Sequence, residues 1–377
     1  MKKGRLGFVD LMRGLAMLVM IEVHVVNSMM DVALRNTGWF NYLNFINGLV
    51  APSFIFISGF AFMLASQAKL HLFREFRYDF WKQSGRIVLI WFAGYMLHIP
   101  FFSYYKCTNI ATHDHWMKFF SIDVLQCIAL GLLVIFILRL AVKSDRAFLV
   151  VVTLLGIAAV VPAPYYYAIN FEQWFPFYIA MYFTPVYYTI FPIFPWFGFM
   201  AAGVLCAWVF LKVSKSGGEG LFMRRLLLIG LLLAVVSLPL MFYLKDYMKL
   251  FSDVKPNILF FSGRLGCVFL ILSFSYYYCE WRGEPSAVIL YPSRESLAVY
   301  FMHLQLLHRE VWWGRSIIQI YPNSLGFGAS IAAALLVIAV MLPMARVWNY
   351  LKMKYRYFGR IAVWSMIVFG AVIFMLR

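Results

Sequence analysis

The sequence predicts an all-α, polytopic integral membrane protein, a bundle of about eleven transmembrane helices. Three observations point there. Of the 377 residues, 63% are hydrophobic and only 13% charged, where a soluble domain averages about a quarter charged. Apolar runs long enough to cross a bilayer as helices of about 20 residues recur along the whole length. The connectors between them are short and basic, which leaves no stretch for a sizeable aqueous domain. A soluble enzyme is thereby excluded, and residues 1–377 read as a single transmembrane domain.

Taken in order, the runs place spans near 6–30, 45–66, 87–105, 122–141, 147–164, 189–211, 226–243, 257–279, 293–308, 325–345 and 361–376. The first follows Lys2, Lys3 and Arg5, is too long for a secretory signal and lacks a small-residue cleavage end. Connectors on that same side carry Lys69, Arg74, Arg77, Lys82, Arg86, Arg139, Lys143 and Arg146, and later Arg346, Lys352, Lys354, Arg356 and Arg360. The opposite side holds Arg35, Lys106, Lys118, Lys245, Lys249, Lys255, Arg309, Arg315 and Arg377. The full count is about 22 against about 9, which puts the N-terminus in the cytoplasm and, with an odd number of spans, the C-terminus outside. The formal charge of +17 is dispersed in this way and forms no contiguous basic domain, so nucleic acid is not an expected partner.

Between the fifth and sixth spans, Pro164 to Phe191 is dense in Tyr, Trp, Phe and Pro and suits an interfacial or re-entrant stretch on the outer face. The five cysteines show neither a CxxC pair nor metal-ligand spacing. His113 and His115 flank Asp114 in an outer loop, too few fixed ligands for a metal site, and no metal is expected. The KSGGEG connector (215–220) lacks the GxxxxGK[ST] pattern that cradles a nucleotide.

Chemistry is expected on the first span. Ionisable groups inside a membrane are costly and face a polar interior or a partner, and this one span carries Asp10, Arg13, Glu22 and His24. At about 100° per residue, Arg13 and His24 fall within about 20° of each other and Asp10 within about 40° of His24. Arg13 lies about 16 Å along the axis from His24. Such a stripe can hold an elongated anionic donor from the inner side while its reactive end reaches the imidazole. Histidine titrates near neutral pH and is a natural general base toward an attacking hydroxyl or amine; the alternative is a hydrogen bond from His24 to a neighbouring helix.

Other candidates are weaker. Arg86 opens the third span, either as a phosphate-side group beside Arg13 or as an ordinary positive-inside anchor. Arg264, deep in the eighth, either stabilises an oxyanion or makes a structural ion pair, with Glu22 as one partner. Ser296, Tyr300 and His303 share one helical face and either orient a substrate or bond a neighbouring helix. Asp123 and Gln126, three apart at the outer end of the fourth span, are candidates to line an acceptor pocket. Ser58 and Gly59 are small enough either for close helix approach or for contact with the donor.

Arg13 and His24 form R-x10-H, and with FIFISGF (54–60) and PSRESLAVYFMHLQLL (292–307) the chain resembles the membrane acyltransferase-3 proteins. VDLMRGLAMLVM (9–20), NGLVAPSFIFISG (47–59), DVLQCIALGLL (123–133) and FPIFPWFGFMAAG (191–203) are closer to a sister branch, the bacterial relatives of heparan-α-glucosaminide N-acetyltransferase. The motif-bearing core runs to about residue 308; the last two spans, 325–376, rest on composition alone. The resemblance implies an acyltransferase of the bacterial inner membrane. It would move an acyl group, acetyl by default, from cytoplasmic acetyl-CoA or another acyl-CoA to a sugar or glycan acceptor at the outer face. It also implies a role for His24 as general base; Arg13 and Asp10 on its stripe are the other expected catalytic groups, and Arg13, Arg86 and Ser58 the expected donor-side groups. In the human-type branch the active histidine lies just before the NG-containing second helix; here GWFNYLNFING (38–48) has asparagines and no histidine. His24 must then carry that role, and the resemblance does not supply the acceptor. The rival from another class is a secondary transporter or lipid-linked sugar flippase, for which paired broken helices in two inverted halves are the expected mark; none is visible.

Overall fold

The computed structural model describes residues 6–244, 257–310, 312, 314–355 and 357–376, with the side chain of Phe242 left aside. Lys2, Lys3, Arg5, Lys245, Lys249, Lys255, Arg356 and Arg377, on which part of the charge count rests, lie outside the described residues. The described chain is all-helical, without a β-strand; Met30 with Leu325 and Trp312 with Arg315 make isolated bridges. The longer helices are α1 (Gly7–Met29), α2 (Gly38–Asn47), α3 (Val50–Gln67), α4 (Tyr78–His98), α5 (Val124–Ala141), α6 (Asp145–Val160) and α7 (Ile193–Ser214). They continue with α8 (Glu219–Leu244), α9 (Ile258–Arg282), α10 (Ala287–Arg294), α11 (Ser296–His308), α12 (Phe327–Lys354) and α13 (Phe358–Leu376).

Among the described residues, seven stretches are long and apolar enough to cross a membrane: Gly38–Gln67, Val124–Ala141, Ile193–Ser214, Glu219–Met241, Ile258–Arg282, Phe327–Lys354 and Phe358–Leu376. Helices also stand at the four other expected places. Two of these, α6 and α11, have 16 and 13 residues; α1 and α4 carry charged side chains within their length. Two boundaries differ from expectation. The third helix runs over 78–98 rather than 87–105, because the polar YDFWKQSGR stretch is helical and Pro100 cannot continue the helix. Arg86 therefore lies well inside α4 rather than at its start. The run expected at 293–308 is two helices, α10 and α11, broken at Glu295.

The chain forms two compact units. The first comprises Met1–Val50, Ile99–Thr112 and Tyr278–Arg377, the second Ala51–His98 and His113–Tyr277. In the first unit, α1 packs against α10, α11, α12 and α2. Gly14 makes this possible: a Cβ there would collide with the backbone carbonyl of Ile289 on α10. Val26, Met30 and Phe40 form a buried cluster with Leu34, Leu43 and Ile331, joining the C-terminal end of α1 to α2 and α12. At the α10–α11 break, buried Glu295 accepts hydrogen bonds from Lys352 Nζ at 2.6 Å and Asn349 Nδ2 at 2.8 Å, which ties α12 to the start of α11.

In the second unit, α5 packs on α4 and α7, and α6 on α7. A Cβ on Gly59 would meet the Met200 carbonyl, and one on Gly203 the Phe56 carbonyl, so α3 and α7 touch backbone to backbone. Small residues at such crossings let van der Waals packing hold helices together where lipid offers no hydrophobic drive. Gly59 thus follows the close-approach alternative, while Ser58 Oγ donates to Phe54 O one turn earlier at 2.7 Å. At the end of α5, Arg139 is fully buried, bonds Asp145 Oδ1 at 2.7 Å and Gln67 Oε1 at 2.8 Å, and lies over the Phe148 ring. The aromatic segment 163–192 contains only short helical turns. There Tyr182 Oη accepts from Trp91 Nε1 at 2.7 Å, and Tyr95 Oη lies within 2.7 Å.

Candidate functional site

Three of the expected residues converge in the first unit. The His24 ring lies 5.3 Å from that of His303 and 6.4 Å from that of Tyr300, centroid to centroid. His303 and Tyr300 meet edge to face at 5.7 Å. The helical spacing of Tyr300 and His303 puts both on the face of α11 that packs on α1. His303 is wholly buried and Tyr300 nearly so, whereas His24 keeps partial access. His303 Nδ1 lies 2.8 Å from Val299 O. A carbonyl only accepts, so Nδ1 carries the hydrogen, and in the neutral ring Nε2 is then an acceptor. That Nε2 is buried and has no hydrogen-bond partner among the described residues.

The N-terminal end of α1 holds a second group. Asp10 is buried, lies 3.7 Å from Arg13 Nη1 and accepts from Ser293 Oγ at 3.3 Å. Asp10, a catalytic candidate of the stripe, lies fourteen residues from His24, about 21 Å along the helix. Its contacts tie it to Arg13 and to α10. Ser293 was missed: the sequence signal lay in Gly14, the small residue that lets α10 approach.

The other expected residues belong to the second unit. Asp123 and Gln126 form a capping box: Asp123 Oδ1 accepts from Val124 N at 2.7 Å, and Gln126 Oε1 from Asp123 N at 3.3 Å. The i,i+3 spacing read as a pocket wall is equally that of a helix N-cap and its N3 partner, and fully buried Gln126 packs against Gly94. Arg264 stacks its guanidinium over Phe260 at 3.6 Å. Such a contact supplies part of what a charge inside a membrane needs. Arg86 is exposed on α4.

The stretch expected as a loop around Asp114 is a short helix, His113–Phe120, in which Asp114 accepts from Tyr188 Oη at 2.5 Å and pairs with Lys118 at 2.9 Å. The Tyr188 hydrogen bond, and then Lys118, hold its carboxyl below the usual range. No group of three or more His, Cys, Asp or Glu side chains among the described residues is placed to hold a metal ion.

A family model described as heparan-alpha-glucosaminide N-acetyltransferase, catalytic, matches residues 5–248, nearly two thirds of the chain. The chain belongs to this family. With its apolar helices it is thus a membrane acyltransferase. None of the curated proteins matches it. The family match covers α1 through α8, including His24, Arg13 and the NG turn at 47–48, and stops short of α11. The R-x10-H likeness to acyltransferase-3 proteins lies outside what the match shows, and Tyr300 and His303 are placed beside His24 by the fold alone.

Proposed function

We propose that this protein transfers an acetyl group from acetyl-CoA to an amine of a glycan, with His24 as general base. The single observation that carries the reading is the meeting of His24, Tyr300 and His303 on the inner faces of α1 and α11. As the amine nitrogen attacks the thioester carbonyl, its proton passes to the imidazole of His24. The C–N bond forms, the C–S bond breaks, and the departing thiolate recovers the proton from His24. Arg13, anchored by Asp10, would hold a phosphate of the donor at the inner end of α1. Eleven crossings, the seven apolar stretches plus α1, α4, α6 and α11, would put the N-terminus in the cytoplasm of a bacterial inner membrane and the acceptor at the outer face. Residues 1–377 act as one acyltransferase domain.

His303 favours an amine over a hydroxyl. Its Nε2 can only accept, and a hydroxyl has one hydrogen, which His24 must take. An amine has two, one for each imidazole. His303→Leu is therefore expected to lower acetyl transfer to glucosamine about tenfold or more, by the loss of a buried hydrogen bond of about 1.5 kcal/mol. His303→Gln, which keeps an acceptor, should retain more activity. Rates with glucosamine and glucose, compared for both variants, check this; equal loss with both sugars would contradict the assignment.

A further inference from the structure

We infer that the turn between α12 and α13 binds the headgroup of an anionic phospholipid, with Lys354 at its centre and Arg346 and Arg360 on its flanks. None of these residues takes part in the transfer reaction, so the site stands or falls apart from it. Between residues 346 and 360 the chain carries Arg346, Lys352, Lys354, Arg356 and Arg360, and from 311 to 377 it holds no Asp or Glu. One of these charges has an internal use: Lys352 Nζ donates to both carboxylate oxygens of Glu295 at 2.6 Å. Lys354 stands two residues on, about 200° around the helix, so it leaves α12 on the opposite face. There it is exposed and pairs with no carboxylate among the described residues. Arg346, two turns earlier, and Arg360, in the first turn of α13, are exposed as well, and a side chain of that length snorkels to the same surface.

The exposed side of α12 supplies the rest of the lipid's surroundings. Leu336, Val340, Val347 and Tyr350 are all exposed, and at about 100° per residue each falls within about 40° of Lys354 around the helix. An apolar stripe open on a membrane-spanning helix faces hydrocarbon chains. Lys354 lies about 27 Å along the axis from Leu336, near the thickness of about 30 Å of the hydrocarbon layer, so its ammonium stands at the membrane surface while an acyl chain follows the stripe. That ammonium lies 5.4 Å from the Tyr350 ring and 5.5 Å from the Tyr355 ring, and Tyr357 and Trp364 are exposed at the start of α13. Aromatic rings of this kind sit at the level of the headgroups. A basic cluster with no acidic residue beside a membrane helix is complementary to a negative headgroup, whereas a zwitterionic one offers it no net charge.

The test is native mass spectrometry of the purified full-length protein titrated with dioleoylphosphatidylglycerol and, separately, with dioleoylphosphatidylcholine. The first phosphatidylglycerol is expected to bind at least tenfold more tightly than the first phosphatidylcholine. Lys354→Gln should weaken it about fivefold, the usual effect of one basic residue at an anionic membrane surface, and Lys354→Gln together with Arg346→Gln at least tenfold. Lys212→Gln is the control: Lys212 is an exposed lysine on α7, 5.4 Å from the Trp208 ring, and its loss should leave the affinity within about twofold. Melting curves establish that each variant is folded; Lys354→Gln alters an exposed side chain and carries the test if the double variant does not fold. Equal affinity for the two lipids, wild-type affinity in Lys354→Gln, or an equal loss in Lys212→Gln would overturn the site. So would displacement of the lipid by an equal concentration of inorganic phosphate, which would make the occupant a soluble anion.

Discussion

Replacing His24 by Ala is expected to lower acetyl transfer by about 10²–10⁴-fold, the usual contribution of a positioned general base, while the protein still folds. The ring stands among His303 and Tyr300 at centroid distances of 5.3 and 6.4 Å, and no other imidazole of α1 can replace it, because His24 is the one histidine between residues 7 and 29. His24→Gln should fail as well, since an amide cannot take a proton in this pH range. The check is the initial rate with radiolabelled acetyl-CoA beside a melting curve for each variant. A folded His24→Ala protein working at more than a tenth of the wild-type rate would remove His24 from the base role.

Gly203→Val is expected to destabilise the second unit by about 3 kcal/mol, the upper part of the overpacking range. A Cβ at Gly203 stands 2.9 Å from the Phe56 carbonyl carbon and 3.0 Å from Phe60 N. Both obstacles are backbone within α3 and cannot rotate aside as a side chain would. Gly59→Val should behave alike, its Cβ reaching the Met200 carbonyl carbon at 3.0 Å. Gly328 is the control: nothing lies within 4 Å of its Cβ position, and Ala there should be neutral or stabilising by up to about 1 kcal/mol. Thermal unfolding in detergent decides it; a wild-type melting temperature for Gly203→Val would mean that α3 and α7 do not meet through these glycines.

The helices were legible because each apolar run must satisfy its own backbone hydrogen bonds in lipid. The fourth run, expected at 122–141, is α5 at Val124–Ala141, with Asp123 closing its first turn. The misplaced start of α4 has the opposite cause: hydropathy sees the apolar part of a helix, and YDFWKQSGR is helical but polar. Glu295 divided the late run because its carboxylate is drawn to Lys352 and Asn349 on α12, a partnership some 55 residues away that no local pattern shows.

The site was half legible. Periodicity put Tyr300 and His303 on one face, and R-x10-H singled out Arg13 and His24, but only the packing of α11 against α1 brings the two histidines together across the length of the chain. Spacing misled at Asp123 and Gln126, where three residues apart serves a helix cap as readily as a pocket.

The most direct measurement uses wild-type protein in sealed liposomes, with radiolabelled acetyl-CoA on the side of the N-terminus and glucosamine on the other. Labelled N-acetylglucosamine is expected on the glucosamine side, and none when His24→Ala replaces the wild type. Acetyl-CoA that neither binds nor turns over, while the folded protein carries glucosamine across unmodified, would contradict it and identify a transporter.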